Sequence, residues 1–222
     1  MNKISTVIYE NEKLNNIQID NIKKNKIVTI NFVDININNL SMDIEKNIDK
    51  LIEQMPNIKI IIINPPKNFS SLEYFLYKDK KYILNMINII KKISVKYNIH
   101  ININFKINFT IDIQKKLTFL KIKELLNMIK GYNVYIILEN TLNGDKLTPL
   151  NICRIMNDSN LYMCLNYKML SKEAQYYNEQ SLSYLLNNFK ENDIKKYTYL
   201  IKQETNNNVI NIDLCDIIIE NL

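Results

Sequence analysis

Eight short segments rich in β-branched and aromatic residues recur along the chain, and each has the length of a β-strand. They cover residues 3–9, 26–33, 58–64, 98–107, 133–139, 161–167, 197–202 and 208–214. Between several of them, apolar residues recur every three or four positions, over 42–55, 80–96, 112–130 and 148–157. This alternation of strands and helices predicts an α/β fold with a parallel sheet.

The polarity of individual strands bears on the architecture. Segments 58–63 and 133–138 are nearly continuous apolar runs, as expected for parallel strands that are covered on both faces. Segment 98–107, NIHININFKI, alternates polar and apolar residues, so one of its faces is polar. A barrel lumen or an exposed sheet face can receive that side. We predict a (β/α)8 TIM-barrel-like fold, with irregularities allowed, and keep an open doubly wound parallel sheet as the alternative.

The length of the chain favours one main domain. The 222 residues, 46% of them hydrophobic, suffice to bury a sizeable core. We predict that residues 1–25 form a peripheral strand and a polar, Asn-rich loop or short hairpin over 10–25, and that 26–222 form a single barrel-like domain. The segments 58–64, 98–107, 133–139 and 161–167 are expected to be consecutive parallel neighbours.

Composition limits the chemistry. The chain is crowded with Asn, Ile, Lys and Tyr and has one Ala, one Arg, two Gly, one His and no Trp, a bias typical of an AT-rich genome. A net charge of +6 suits an anionic partner, but the lysines are spread among acidic residues, which favours an ordinary solvated surface. The three cysteines lack C-x-x-C spacing, which indicates reduced thiols.

The start of the chain predicts its compartment. Met1-Asn2-Lys3 leads into a strand-like piece, not into the apolar core of a signal peptide, and no apolar run has membrane length. We therefore predict an intracellular, cytoplasmic protein with no membrane partner.

Candidate functional groups gather at the carboxyl ends of strands, where parallel α/β folds place their sites. Glu139, in YIILENT, is the one carboxylate that ends a strongly apolar strand. Amides and lysines accompany it at other predicted strand ends: Asn64, Asn102, Asn104, Asn166, Lys67, Lys168 and Lys202. His100 reads as an ordinary polar strand residue. The tyrosines of the stretch 162–184 can stack on nucleobases. Half-buried positions on helices explain them better.

YIILENTLNGDKL resembles the strand and loop of endonuclease IV, an apurinic/apyrimidinic-site nuclease, and of the wider xylose-isomerase-like (β/α)8 barrels, in which the Glu bridges metal ions. Three more segments are similar to that family in the same order: IIIINPPKNFS, IHININF and LYMCLNYKML. The similarity spans about residues 58–170 and implies a barrel with its site at the carboxyl ends of the strands.

The ligands that the resemblance implies are mostly replaced. Asn64 stands in place of one His, Asn102 or Asn104 in place of a second, Asn166 in place of an Asp and Met169 in place of a further His; only Glu139 is retained. Amide and thioether groups are poor substitutes for imidazole and carboxylate ligands. We predict no tightly bound zinc and no cofactor, and we regard these residues as a vestigial pocket with Lys67, Lys168 and Lys202 as phosphate contacts.

Three roles for Glu139 stay open: a hydrogen-bonded remnant, a ligand of one Mg²⁺ or Mn²⁺ with water, and metal-free acid/base chemistry. Two function classes follow. The first is a catalytically inactive relative that serves as a binding or assembly subunit, with a protein partner or weak nucleic-acid binding. The second is an enzyme of the same barrel group with a reduced, absent or displaced metal site, acting as a phosphodiester hydrolase or a sugar isomerase.

Overall fold

The computed structural model describes residues 4–32, 40–66, 80–107, 112–140, 148–166, 198–202 and 209–211. The strands are β1 (Ile4–Tyr9), β2 (Ile27–Asn31), β3 (Ile60–Asn64), β4 (His100–Ile107), β5 (Val134–Asn140), β6 (Leu161–Asn166), β7 (Thr198–Lys202) and β8 (Val209–Asn211). The helices are α1 (Asn16–Asn25), α2 (Leu40–Gln54), α3 (Lys80–Tyr97), α4 (Asp112–Ile129) and α5 (Thr148–Met156). All eight predicted strands and the four predicted helices are confirmed, with small differences at their ends.

Strands β1 to β7 pair in parallel in chain order, which confirms an α/β fold with a parallel sheet. The expected consecutive order of β3, β4, β5 and β6 is confirmed as well. Strand β8 closes the hydrogen-bonded ring between β7 and β1 and is antiparallel to both. This antiparallel strand departs from the all-parallel arrangement of a regular (β/α)8 barrel.

The prediction of a loop or short hairpin over 10–25 is wrong for residues 16–25, which form α1. The helix begins with a capping box, in which Asn15 and Gln18 each accept a hydrogen bond from the other's backbone N–H at 2.9 Å. Ile22 is buried against the sheet. Nor is β1 peripheral, because it pairs with both β2 and β8, so β1 and α1 form the first strand–helix unit of the ring.

Two separate apolar clusters lie on the two faces of the strands. The larger one joins the strands to the helices, and Phe105, Ile103 and Ile136 belong to it together with helical residues such as Ile90. Within the described ranges, the smaller one consists of strand residues: Ile27, Ile62, Ile137 and Cys164, with Val7 and Ile60 packed against them. We call the face with the helices the outer face and the other the inner face. Alternation along each strand assigns every second residue to each of them.

Left-handed backbone ends four of the helices. Lys26 (φ 60°), Asn98 (φ 50°), Gly131 (φ 83°) and Asn157 (φ 44°) follow α1, α3, α4 and α5 in turn. Glycine is the usual residue here, and Asn is one of the few others that tolerate the conformation. In a chain with only two glycines, Asn therefore takes over much of this role.

Ion pairs link α2 to α3 on the surface. Lys92 bonds Glu45 at 2.8 Å and Lys96 bonds Asp49 at 3.2 Å, while the Tyr97 hydroxyl donates to Asp49 at 2.6 Å. Burial raises the pKa of the Asp49 carboxyl, but the hydrogen bonds from Tyr97 and Lys96 and the nearby ammonium charges outweigh it and lower that pKa below its ordinary value. These exposed pairs orient the two helices and contribute little to stability.

None of the helices in the described ranges is long and apolar enough to cross a membrane.

Candidate polar site at the carboxyl ends of the strands

Four neighbouring strands bring polar side chains together near their carboxyl ends. Asn31 and Asn64 are the last residues of β2 and β3 and lie opposite each other in register. Asn104 lies towards the end of β4, and Glu139 is the next-to-last residue of β5. Parallel pairing aligns the carboxyl ends of these strands on one edge of the ring, so residues distant in the chain become neighbours.

These four residues form one continuous hydrogen-bonded chain, which we call the amide–carboxylate chain. The Asn104 amide nitrogen donates to Glu139 Oε2 at 2.7 Å and to Asn64 Oδ1 at 3.0 Å. The Asn64 amide nitrogen donates in turn to Asn31 Oδ1 at 2.6 Å. Because both neighbours of the Asn104 nitrogen are acceptors, its amide has only one consistent orientation, with Oδ1 pointing away from them.

Burial makes this chain costly to disturb. Glu139 is 1% exposed and Asn104 is 6% exposed, and a buried carboxylate needs hydrogen-bond donors to replace its hydration. Asn104 supplies one such donor. Asn104 Oδ1 is itself buried and accepts no hydrogen bond. A buried acceptor without a partner is costly, so a ligand or water that donates a hydrogen bond to this oxygen would be stabilised there.

Asn102 lies deeper on the same inner face of β4. It is fully buried, and neither its amide nitrogen nor its amide oxygen has a hydrogen-bond partner. Its register neighbours are Ile62 on β3 and Tyr135 on β5, so apolar and aromatic groups flank it. At the amino end of the same face, the His100 ring stacks on Tyr135 at a centroid distance of 5.6 Å.

Lys106 continues the inner face of β4 beyond Asn104. It is half-buried and lies directly opposite Glu139 in the β4–β5 register. No salt bridge joins the described side chains of Lys106 and Glu139. The register therefore places a lysine and a glutamate opposite each other on the inner face of neighbouring strands.

The structure brings together three of the residues predicted for the pocket: Asn64, Asn104 and Glu139. Asn102 lies on the same face but outside the hydrogen-bonded chain. Strand β6 ends at Asn166, which pairs in register with Lys202 on β7, and the side chains of both lie outside the described part of the structure. Lys67, Lys168 and Met169 also lie outside the described residues.

Two members of the site were missed by the sequence-based prediction. Asn31 lies in the predicted strand 26–33, where Thr29 and Asn31 alternate with Ile30, and this polar alternation was the available signal. Lys106 shares the polar face of NIHININFKI with Asn102 and Asn104, so the period of two already placed it with them.

The possible metal ligands among the described residues of this site do not fit a multinuclear metal centre. The amide–carboxylate chain offers one carboxylate and neutral amides, while such centres need several imidazole and carboxylate ligands. Within the described ranges, no group of three or more His, Cys, Asp or Glu side chains is placed to hold a metal ion.

Comparison with known proteins finds no match, whether to a protein family, to a curated protein or to a solved structure.

Proposed function

We propose that this chain is a (β/α)8-like barrel related to endonuclease IV and the xylose-isomerase-like group, that it has lost catalysis, and that it serves as a binding or assembly subunit. The observation that carries the proposal is the amide–carboxylate chain. A side chain that would be a metal ligand in that family, Glu139, accepts a hydrogen bond from an amide that stands in place of another ligand.

The strand order supports the barrel part of the proposal. From β1 to β7 each new strand adds on the same side of the previous one, and the order never reverses. Right-handed crossovers then place all the helices on one face. The two apolar clusters agree with this arrangement, since the helical residues that the structure describes in them belong to the outer cluster.

The geometry supports Asn104, and not Asn102, as the counterpart of the second family histidine. Asn104 reaches both Asn64 and Glu139 within hydrogen-bond distance, as ligands of one ion would. Asn102 is fully buried and contacts neither by a hydrogen bond. On this assignment, the two amides that stand in place of imidazoles, Asn64 on β3 and Asn104 on β4, are hydrogen-bonded to each other.

The loss of catalysis follows from the chemistry of these groups. In metal-dependent hydrolysis the ions generate a hydroxide at neutral pH and stabilise the charge that develops in the transition state. Amides supply neither effect. The lysines proposed as phosphate contacts, Lys67, Lys168 and Lys202, can attract a phosphate but cannot activate water. We therefore expect at most weak, salt-sensitive nucleic-acid binding, whose dependence on salt concentration is shallow because few lysines contact phosphates.

One observation favours a second candidate, an enzyme with a single Mg²⁺ or Mn²⁺. Such ions accept one or two carboxylates, amide oxygens and waters as ligands, and Asn104 Oδ1 is an acceptor without a partner close to the Glu139 carboxylate. The Lys106 ammonium opposite Glu139 opposes this candidate, because it repels a cation at that position.

Incubation of the protein with an abasic-site duplex tests the two candidates. The wild type and the Glu139→Gln variant are compared with Mg²⁺, Mn²⁺ or Zn²⁺, and a Glu53→Gln variant, on the exposed side of α2, serves as a matched control. We expect no incision by any of the three proteins. Metal-dependent incision by the wild type and by Glu53→Gln, lost in Glu139→Gln, would reject the non-catalytic function.

A further inference from the structure

We propose that the amino-end face, the end of the ring at which the strands begin, binds the surface of a bilayer that contains anionic phospholipid. Such binding lies beyond the proposed function, because this face is opposite to the amide–carboxylate chain and does not depend on the loss of catalysis. The expectation of no membrane partner came from the lack of a membrane-length apolar run. A face that lies on a bilayer needs no such run.

The topology gathers the last turns of the five described helices at the amino-end face. Each helix returns from the carboxyl end of one strand to the start of the next, as a parallel sheet requires. Backbone hydrogen bonds join neighbouring strand starts: the Lys59 N–H donates to Lys26 O and the His100 N–H donates to Lys59 O, both at 2.9 Å. The helix ends and their connections to the strands are residues 22–26, 51–59, 94–99, 126–133 and 153–160.

Positive charge collects on this face, although lysines are spread along the sequence. The five stretches contain seven basic residues against two acidic ones, Glu53 and Asp158. Their formal net charge is therefore +5, out of +6 for the whole chain, so the remaining residues together are nearly neutral. The basic residues are Lys23, Lys24, Lys26, Lys59, Lys96, Lys130 and Arg154. A face with this charge attracts an anionic surface.

Exposed apolar side chains share the face with these charges. Val95 in the last turn of α3 is 66% exposed, Ile155 in the last turn of α5 is 67% exposed, and Tyr132 after α4 is 37% exposed. Lys91, one turn before Val95, places its ammonium 4.3 Å from the centroid of the Tyr132 ring, so α3 and the connection after α4 are contiguous there. Aliphatic and aromatic side chains among basic ones are typical of surfaces that lie in the head-group region of a bilayer.

The apolar residues distinguish between anionic partners. A nucleic-acid backbone is neutralised by lysines, and exposed valine and isoleucine side chains add nothing to that interaction. A bilayer offers anionic head groups to the lysines and, just below them, an apolar region to Val95 and Ile155. Tyrosine is enriched at this boundary because its ring is amphipathic. The combination therefore favours a lipid surface.

The test is co-sedimentation of the full chain with vesicles of phosphatidylcholine alone and of phosphatidylcholine mixed with phosphatidylserine. The amino-end variant, Lys23→Gln/Lys24→Gln/Lys59→Gln, removes three exposed lysines from the face. A single-stranded and a duplex oligonucleotide are titrated in parallel as the competing class of partner. Circular dichroism checks that each variant folds.

A control variant and a pair of reporters locate the contact. The control variant, Lys13→Gln/Lys46→Gln/Lys123→Gln, removes three exposed lysines outside the face and has the same net charge as the amino-end variant. Because the chain has no tryptophan, Ile155→Trp introduces a single one on the face. Ile17→Trp introduces one in the first turn of α1, at the other end of the ring.

We expect the wild type and the control variant to bind the anionic vesicles equally, and the amino-end variant to bind about tenfold more weakly or worse. Phosphatidylcholine alone should not bind. Salt at about 1 M should release the protein, because screening then acts within about 3 Å. The tryptophan emission of Ile155→Trp should shift to the blue on anionic vesicles, and that of Ile17→Trp should not.

The proposal is overturned if anionic vesicles are not bound, if phosphatidylcholine alone binds as well, or if the two triple variants lose binding equally. It is also overturned if Ile155→Trp shows no shift, or if the oligonucleotides bind and the vesicles do not, since the face would then serve nucleic acid. If the amino-end variant does not fold, the two tryptophan reporters decide alone.

Discussion

The two faces of strand β4 differ in what they contribute to this protein. Its outer face carries Ile101, Ile103, Phe105 and Ile107, all buried in the cluster shared with the helices. Its inner face carries His100, Asn102, Asn104 and Lys106, and all four of those polar side chains are partly or fully buried. Burial of the outer face stabilises the fold. Burial of the inner face costs stability wherever a polar atom has no partner.

This contrast suggests a division of labour within one strand. The outer residues anchor β4 rigidly between β3, β5 and the helices. The inner amides are thereby held in positions that they would not adopt for stability alone. Polar groups kept in a core against their own solvation preference are expected at functional sites, where the remainder of the fold compensates for the cost.

The largest effect is expected for the outer face. Phe105→Ala removes a fully buried ring from the core and should lower the free energy of unfolding by about 3–5 kcal/mol. Urea denaturation followed by circular dichroism measures the change. Leu120→Ala, at an exposed helical position, is the control and should change stability by less than about 0.5 kcal/mol. Equal effects of the two variants would show that the outer face is not the main core.

A smaller loss is expected when the amide–carboxylate chain is broken. Asn104→Leu removes the donor to Glu139 and to Asn64 and should cost about 2–3 kcal/mol, because hydrogen bonds to charged groups are the stronger ones. The double variant Asn104→Leu/Glu139→Leu should recover part of that loss, because it also removes the buried carboxylate that the single variant deprives of its donor. A double-mutant cycle in urea measures the coupling. Additive single effects would mean that the two side chains do not interact.

A gain in stability is expected from a substitution at Asn102, the next inner-face residue of β4 before Asn104. Asn102→Val replaces a fully buried amide with no hydrogen-bond partner by an apolar residue that strands favour. The free energy of unfolding should rise by about 1–2 kcal/mol. The exposed Asn133 provides the matched Asn133→Val control. A loss of stability in Asn102→Val would show that this amide has a hydrogen-bond partner in solution. Asn102 would then no longer be an example of an inner-face residue that costs stability.

The smallest expected change in stability comes from the thiol of Cys153, which is buried in the outer apolar cluster. Burial raises the pKa of Cys153 to about 12, so the unfolded chain loses this proton at lower pH than the folded protein. The resulting stabilisation is fully present below the ordinary thiol pKa of the unfolded chain and disappears as pH rises through the folded value. Compared with a Cys153→Ala variant, the free energy of unfolding of the wild type should fall by under about 1 kcal/mol by about pH 9.5.

Urea titrations at several pH values measure this difference, and iodoacetamide labelling with mass mapping supplements them. Native Cys153 should resist labelling at pH 8, as a buried thiol with a raised pKa does. Rapid labelling of Cys153 in the native protein would contradict the burial of α5 against the sheet.

Much of the fold could be predicted from the pattern of residues. Strands and helices differ in the period of their apolar residues, and that period can be seen directly in the local sequence. The pairing of β3 to β6 in chain order followed from the alternation with helices. Helix α1 was missed although its capping signal, Asn15 followed by Gln18 three residues later, was present; the abundance of Asn obscured it. The antiparallel direction of β8 had no local signal, because a strand has the same period in both directions.

The sequence by itself determined which residues of each strand share a face, and hence that Asn102, Asn104 and Lys106 lie on one side of β4. Only the tertiary structure decided which of them meets Glu139. That choice depends on the register between β4 and β5, which pairs Lys106 with Glu139 and lets Asn104 reach it diagonally. Register is set by the joint packing of all the strands and helices, and a contact between residues 35 positions apart therefore has no local record in the sequence.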